Sequence, residues 1–206
     1  MLSEADHACI EDAVGRAETR TSGEIVVVVA RSADPYRTVP LAAALVVSLV
    51  APWPLLWFTD LGTTRVLLIQ LVVALIALAL LLPHRARYAL VPSALRRHRA
   101  REAARQAFAA NGISQTRGRT GVLLYVAQAE RYAEVIADEA VSARVDDAAW
   151  RAAIDGLVLA AGRGSLGQGI AGAVEQIGVI LSEHLPAGPD NPDELSNRVI
   201  LQPPDA

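Results

Sequence analysis

The chain has 206 residues, which is enough for one ordinary domain and an additional segment. Hydrophobic residues make up 52% of it, and its mean hydropathy of +0.31 is high for a soluble domain, so part of the chain is expected to lie in lipid. The net charge of −3 argues against general nucleic-acid binding, which needs a basic surface, and the single cysteine, Cys9, cannot form an internal disulfide.

The first two predicted elements are an amphipathic helix and a buried strand. Ser3 and Asp6 have the spacing of a capping box, and the apolar residues between positions 3 and 20 recur on one helical face. A turn at Ser22-Gly23 then leads into Glu24–Ala30 (EIVVVVA), an apolar run of β-branched residues that is typical of a strand buried on both faces. We expect the helix to cover this strand.

Two long apolar segments follow and predict a transmembrane hairpin. Residues 39–58 and 66–82 contain no charged side chain, and each segment is close to the length of helix that spans a bilayer. The connector, residues 59–64, leaves room only for a tight turn. The alternative is a helical hairpin buried in a soluble core, but a domain of this size has nothing large enough to cover two such uniformly apolar helices.

The distribution of arginine predicts how the hairpin is oriented. All 19 basic residues are arginines, and many lie between Arg85 and Arg119, whereas the connector region offers only Arg65. Because basic residues are retained on the cytoplasmic side, both termini and the soluble part are expected in the cytoplasm, and no signal peptide is expected before residue 20. The arginines from Arg85 to Arg101 are expected to lie against anionic headgroups of the lipid bilayer. Positive-inside retention without a specific lipid is the alternative.

The remaining elements are predicted to complete a small α/β domain. Ser93–Ala110 is predicted as a helix, Gly121–Ala127 as a second buried strand, and Tyr132–Ala137 as a third strand antiparallel to the second. A helical crossover between the first two strands makes them parallel. Residues 147–161 and 165–184 are predicted as two closing helices.

The chain therefore divides into four predicted segments. Residues 186–206 are acidic and contain five of the 11 prolines, which predicts a flexible tail. The segments are residues 1–38 with the first helix and strand, 39–83 with the transmembrane hairpin, 84–185 with the remainder of the domain, and 186–206 with the tail.

Two features imitate functional motifs. The glycine-rich run at residues 162–169 follows a helix and lacks the Gly-Lys-Ser/Thr ending of a phosphate loop. A helix C-cap followed by a capping box of Ser165 and Gln168 explains this run better. The four histidines have no ligand spacing, so neither a zinc site nor a hydrolase triad is expected.

Three strings in the soluble part carry a family resemblance. TSGEIVVV at residues 21–28, RTGVLLYVA at 119–127 and Asp146-Asp147-Ala148 are similar, in this order, to segments of the TPM domain. That family is named for a thylakoid lumen phosphatase, a photosystem II repair protein and a nematode receptor modulator. The resemblance implies an α/β/α sandwich and, for some members, an acid phosphatase activity and a bound calcium ion.

The chain departs from the family in two respects. Ala137-Asp138-Glu139 stands where many members have Gly-Tyr-Gly after the third strand, and most members are exported whereas this chain is predicted to be cytoplasmic. The predicted fold class is an α/β/α sandwich with a small mixed sheet, interrupted by a two-helix transmembrane hairpin.

Two functions stay open at this point. The first is a membrane-tethered interaction or accessory module on the cytoplasmic face, with a membrane protein as a partner, because no nucleophile–base pair is recognisable. The alternative is a divalent-metal-assisted acid phosphatase of the TPM type, whose catalytic residues the sequence does not identify. Its candidate ligands for Ca²⁺ or Mg²⁺ are five carboxylates: Glu24, Asp138, Glu139, Asp146 and Asp147. The structural interpretation is that Asp146 or Asp147 caps the next helix and that the others are solvated.

Connectivity predicts where these carboxylates lie. The first two strands run towards the membrane and the third runs back, so Asp138 and Glu139 reach the edge at which Glu24 begins the first strand. The loop at residues 111–120 brings Arg117 and Arg119 to the same edge. Because gathered carboxylates repel one another, we expect a divalent cation or one of these arginines as their partner. The binding site is therefore predicted at the sheet edge that faces away from the bilayer.

Overall fold

The computed structural model describes residues 2–36, 38–81, 91–188 and 191–203. The chain forms two compact units, which we call the sheet unit (Met1–Asp34 with Arg97–Ala206) and the hairpin unit (Pro35–Arg96). Leu82, Arg85 and Arg87, which entered the predictions for the hairpin and its orientation, lie outside the described residues.

The helices and strands agree closely with the predicted elements. The strands are β1 (Glu24–Ala30), β2 (Gly121–Ala127), β3 (Tyr132–Ala137) and β4 (Ile200–Gln202). Short 3₁₀ turns occupy Ile113–Gln115 and Asp147–Trp150. The helices are α1 (Glu4–Glu18), α2 (Thr38–Val50), α3 (Pro52–Phe58), α4 (Thr63–Leu81), α5 (Ser93–Ala110), α6 (Glu139–Ser142), α7 (Arg151–Gly162) and α8 (Leu166–His184).

Within the described chain, four strands form one mixed sheet in the order β3-β2-β1-β4. β1 and β2 are parallel and pair along their whole length, from Glu24 opposite Gly121 to Ala30 opposite Ala127. β3 is antiparallel to β2, with Ala137 opposite Val122. The predicted directions of the first three strands are confirmed.

The C-terminal segment is built into this sheet, which corrects the predicted flexible tail. β4 lies parallel to β1, with Ile200 opposite Val28, and Asn191 donates hydrogen bonds to main-chain carbonyls of the sheet unit. The prolines of the segment fall outside β4, and an edge strand needs hydrogen bonds on one side only. Three strand residues are too few to give a periodic pattern in the sequence.

Each face of the sheet is covered by helices. Alternate residues of β1 point to opposite faces, as the period of a strand requires. Ile25, Val27 and Val29 belong to a buried cluster with α1, α7 and α8. Val26 and Val28 belong to a second cluster, in which α5 contributes small alanines such as Ala104. These layers confirm the predicted α/β/α sandwich.

The ends of the helices test the predicted caps. Ser3 Oγ accepts a hydrogen bond from Asp6 N at 3.1 Å, and Asp6 Oδ2 accepts one from Ser3 N at 2.8 Å, which confirms the first capping box. The capping box predicted for Ser165 and Gln168 is wrong, because the Ser165 side chain makes no cap hydrogen bond. Ser165 N instead donates to Ala160 O at 3.0 Å at the end of α7, and its ψ of 53° is not the extended conformation of a capping serine.

Close packing of α1 on α8 yields a stability prediction. A Cβ atom at Gly178 of α8 would collide with Ala17 of α1, whereas Gly172 on the same helix has open space around it. We expect Gly178→Ala to lower the free energy of unfolding by about 1–3 kcal/mol, and Gly172→Ala to raise it by up to about 1 kcal/mol through helix propensity. Denaturation of the full chain in detergent micelles measures both, and equal effects would contradict this packing.

The hairpin unit contains two helical segments that are long and apolar enough to cross a membrane. They comprise 21 residues (Thr38–Phe58, formed by α2 and α3) and 19 residues (Thr63–Leu81, formed by α4). Only 11% of the most apolar window of each segment is buried, and Trp57 and Phe58 are 78% and 83% exposed. Helices of a soluble core would be mostly buried. The two segments therefore differ from a core hairpin in their exposure.

Candidate functional site

A cavity of about 660 Å³ opens at the sheet edge where β1 and β2 begin. The turn before β1, the loop before β2 and the C-terminal segment each contribute to its wall. Its lining residues are Ser22, Glu24, Thr116, Arg117, Gly118, Thr120, Asn191, Pro192 and Glu194.

Three carboxylates meet beside this cavity. Glu18, Glu24 and Asp193 each place one oxygen so that the three oxygens lie within 4.8 Å of one another. Glu18 and Glu24 are only 8% and 4% exposed, whereas Asp193 is exposed. We call this group the acidic triad.

A tight connection between α1 and β1 holds the two buried glutamates together. Thr21 Oγ1 donates a hydrogen bond to Leu185 O at 2.6 Å and accepts one from Gly23 N at 3.1 Å. Thr120 Oγ1 donates to Ser22 O at 2.8 Å, which ties the same turn to the loop before β2. The chain therefore leaves α1 at Glu18 and enters β1 at Glu24 with both carboxylates at one place.

Main-chain donors stabilise one oxygen of each buried glutamate. Glu18 Oε1 accepts a hydrogen bond from Ile25 N at 2.8 Å, and Glu24 Oε2 accepts one from Leu195 N at 3.1 Å. Among the described residues, Glu18 Oε2 is buried and has no hydrogen-bond partner. A buried carboxylate oxygen without a donor is costly unless the group is protonated or a cation lies beside it.

Burial dominates the electrostatics of the acidic triad. It raises the pKa of Glu18 to about 8; the Ile25 N–H and the Asn197 side chain oppose this shift, and the charges of Glu24 and Asp193 add to it. Burial also raises the pKa of Glu24, against the opposing hydrogen bond from Leu195. When all three groups are deprotonated, their oxygens form a donor set that suits a hard divalent cation.

Asp138 and Glu139, both predicted as ligands, lie beside an arginine. Arg119 Nε is 3.4 Å from Asp138 Oδ2, and Arg119 Nη2 is 3.8 Å from Glu139 Oε2. Asp138 also caps α6, since its side chain accepts a hydrogen bond from Glu139 N at 2.8 Å. The strand order puts Asp138 two strands away from Glu24, about 10 Å, so it is not part of the acidic triad.

The two remaining predicted ligands lie at the start of the turn before α7. Asp146 Oδ1 accepts a hydrogen bond from Ala148 N at 3.1 Å, which is the capping role that the structural interpretation assigned to Asp146 or Asp147. Of the five predicted ligands, Glu24 alone belongs to the acidic triad within the described chain. Cation binding by the other four stays a prediction.

Sequence reasoning missed Glu18 and Asp193. Glu18 ends α1, where the helix dipole disfavours an acidic side chain, and that unfavourable position is the signal that could have identified it. Asp193 lies in the segment that was predicted to be flexible, and no local pattern connects it to Glu24. Arg117 was placed correctly at this edge, and its main-chain N–H donates to Glu194 Oε2 at 2.8 Å.

Comparisons with known proteins agree with this fold. The family model described as TPM domain matches residues 84–180. The chain also resembles the NMR structure of the BA42 protein from the psychrophilic bacterium Bizionia argentinensis, with a TM-score of 0.62, 19% sequence identity, and coverage of 98% of this chain and 96% of that chain. Likeness at this identity concerns the fold. No curated protein matches the chain.

Proposed function

We propose that this chain, in which residues 84–180 match the family model of the TPM domain, is a membrane-tethered accessory protein whose sheet unit binds a divalent cation. The observation that supports cation binding is the acidic triad, in which Glu18 is buried with one oxygen that has no partner among the described residues. The resident cation that fits this donor set best is Ca²⁺.

The spacing of the oxygens is compatible with Ca²⁺. Calcium binds oxygen ligands at about 2.3–2.6 Å, so two ligands on opposite sides of one ion are about 5 Å apart. The oxygens of the acidic triad lie within 4.8 Å of one another, which is compatible with a single shared ion. Mg²⁺ demands octahedral geometry and retains several waters, so we expect it to bind more weakly. Bound Ca²⁺ would offset most of the negative charge of the triad and give Glu18 Oε2 a partner.

Calcium titration of the full chain in detergent micelles tests this site. We expect wild type to bind one Ca²⁺ in isothermal titration calorimetry, and Glu24→Gln to weaken binding by about tenfold or more because it removes a charged ligand. Glu139→Gln is the matched control, because Glu139 lies outside the acidic triad and beside Arg119. Absence of calcium binding by wild type would overturn the proposal, and a loss with Glu139→Gln but not with Glu24→Gln would move the site to the Arg119 region.

The membrane tether is the second part of the proposal. The two segments of the hairpin unit would cross the bilayer, with both termini and the sheet unit in the cytoplasm. Support comes from the length and exposure of Thr38–Phe58 and Thr63–Leu81 and from the excess of arginine outside the connector. A reporter that is active only when exported should stay silent when fused after Ala206 and become active when inserted at Gly62. The reverse pattern would invert the orientation.

Anionic lipid is the partner that we propose for the arginines between Arg85 and Arg101. Two of these arginines already lie near acidic groups: Arg99 Nε is 3.5 Å from Asp34 Oδ2, and Arg101 Nε is 3.2 Å from Glu134 Oε1. Arg97 should therefore contribute more to lipid attraction than Arg101. Native mass spectrometry from nanodiscs that contain phosphatidylglycerol should show less retained lipid for Arg97→Gln than for Arg101→Gln, and equal retention would contradict this assignment.

A second candidate function is hydrolysis of a phosphomonoester. Arg117 lines the same cavity as Glu24, and its side chain is 88% exposed, with its Nε 3.7 Å from Glu194 Oε1. An ion pair this exposed is weak, so an anionic substrate beside a bound cation can compete with Glu194 for Arg117. Hydrolysis of p-nitrophenyl phosphate that requires Ca²⁺ or Mg²⁺, and that falls in both Glu24→Gln and Arg117→Met, would favour this function. Inactivity of calcium-loaded wild type would leave the accessory role.

A further inference from the structure

The C-terminal segment 191–202, which we call the strap, crosses the entire edge that holds the acidic triad. Asn191 Nδ2 donates hydrogen bonds to Glu18 O at 3.1 Å and to Thr21 O at 3.0 Å. Leu195 N donates to Glu24 Oε2, and Glu194 Oε2 accepts from Arg117 N. The strap therefore contacts the end of α1, the start of β1 and the loop before β2.

A short strand and the partly buried side chains of Val199 and Ile200, which pack against the two buried clusters, hold the far end of the strap. β4 has three residues, pairs only with β1 among the described strands, and leaves Leu201 54% exposed. Val199 N lies 3.4 Å from Glu11 Oε1 in a long hydrogen bond. Each such hydrogen bond contributes only about 1 kcal/mol net, so the docked strap is weakly held compared with β1 and β2.

Asp193 makes the docking of the strap dependent on charge. When the strap is docked, the Asp193 carboxylate lies within 4.8 Å of oxygens of two buried glutamates, and Glu18 Oε2 has no hydrogen-bond partner in the described part of the chain. Without a cation the like charges of Asp193 and Glu24 repel each other, and this repulsion favours release of the strap. With a divalent cation between them the same three groups attract the ion, and the attraction favours docking.

We propose that the strap is a calcium-controlled cover of the cavity, which docks when a cation bridges Asp193 to Glu18 and Glu24 and detaches when the cation leaves. This inference rests on the proposed cation site and assigns that site a regulatory consequence. Release of the strap would remove Asn191, Pro192 and Glu194 from the wall of the cavity and would uncover the edge of β1. Calcium therefore controls access to the cavity.

Hydrogen exchange of the full chain in detergent micelles tests the strap. At a calcium concentration of ten times the measured Kd, amides of the strap should exchange about tenfold more slowly than in EGTA, if the released strap does not bind the ion. Amides at the centre of β2, such as those of Leu123 and Leu124, provide the reference. Equal slowing of the strap and of β2 would mean global stabilisation and would overturn the proposal.

Two variants sharpen this experiment. Asp193→Asn should abolish the calcium response of the strap, and in EGTA its strap should exchange no faster than that of wild type, because the variant removes repulsion. Asp155→Asn, at an exposed aspartate of α7, is the control and should keep the response. Faster exchange of Asp193→Asn in EGTA would show that Asp193 anchors the strap without a cation, against the proposal.

Calorimetry on the same samples separates the two proposals. Calcium binding without any change in strap exchange would overturn the calcium-controlled cover and leave the cation site intact. Absence of calcium binding would remove both the site and the cover.

Discussion

In the absence of divalent cations, Glu18→Gln is expected to stabilise the protein at pH 8 by about 1–3 kcal/mol, the cost of an uncompensated buried carboxylate. Burial raises the pKa of Glu18 in the folded state from 4.5 to about 8. A folded-state pKa above the unfolded value means that the folded protein holds the proton more tightly. The stability that protonated Glu18 provides is fully present below pH 4.5 and is lost as the pH rises towards 8.

Urea midpoints in EDTA across this pH range measure the effect. The advantage of Glu18→Gln over wild type should vanish at low pH and grow as the pH rises, because glutamine mimics the protonated side chain. Burial also raises the pKa of Glu24, so the variant should keep a smaller pH dependence of the same sign. Glu183→Gln, at an exposed glutamate of α8, should follow wild type at every pH. A Glu18→Gln profile parallel to that of wild type would contradict the burial argument.

Leu181→Ala is expected to cause the largest loss of stability, about 2–5 kcal/mol, the range for removing a buried leucine side chain. Leu181 is fully buried on α8 and lies under the turn that joins Glu18 to Glu24, where a Cβ atom at Gly23 would be 3.1 Å from Leu181 Cδ1. The cavity left by the substitution should therefore also weaken calcium binding.

Val179→Ala provides the matched control for Leu181→Ala. Val179 lies on the same helix but is 45% exposed, so its truncation should cost less than about 1 kcal/mol and leave calcium affinity unchanged. Chemical denaturation and calcium titration of both variants check the two effects. A loss for Val179→Ala as large as that for Leu181→Ala would contradict the core assignment.

Local patterns were sufficient to predict most of the sandwich. Glu24–Ala30 and Gly121–Ala127 are continuous apolar runs because both strands are central and buried on both faces. Ser3 and Asp6 form the predicted capping box because all of its atoms lie within one helical turn. Ser165 and Gln168 have the same spacing, but Ser165 N donates its hydrogen bond to Ala160 O at the end of α7. The spacing of two residues does not reveal such a contact with the preceding helix.

The acidic triad could be predicted only in part. Glu24 was recognised because it begins a strand at an edge that connectivity defines. Asp193 is 169 residues further along the chain, and its approach depends on a strap whose single strand is too short to recognise. Asp138 and Asp146 each cap the helical turn that follows them directly in the sequence. Because such a contact is local, a capping role for carboxylates of this kind could be predicted from the sequence.

The hairpin interrupts the chain between the two strands that pair most extensively, and this has a consequence for biosynthesis. Glu24 pairs with Gly121, 97 residues later, so the ribosome must synthesise both apolar segments of the hairpin unit and α5 before the centre of the sheet can form. During that interval β1 is an unpaired apolar strand, which is prone to aggregation. With the proposed membrane tether, delivery of the nascent chain to the membrane would precede folding of the sheet unit. A chaperone or the insertion machinery would have to shield β1 until β2 has been synthesised.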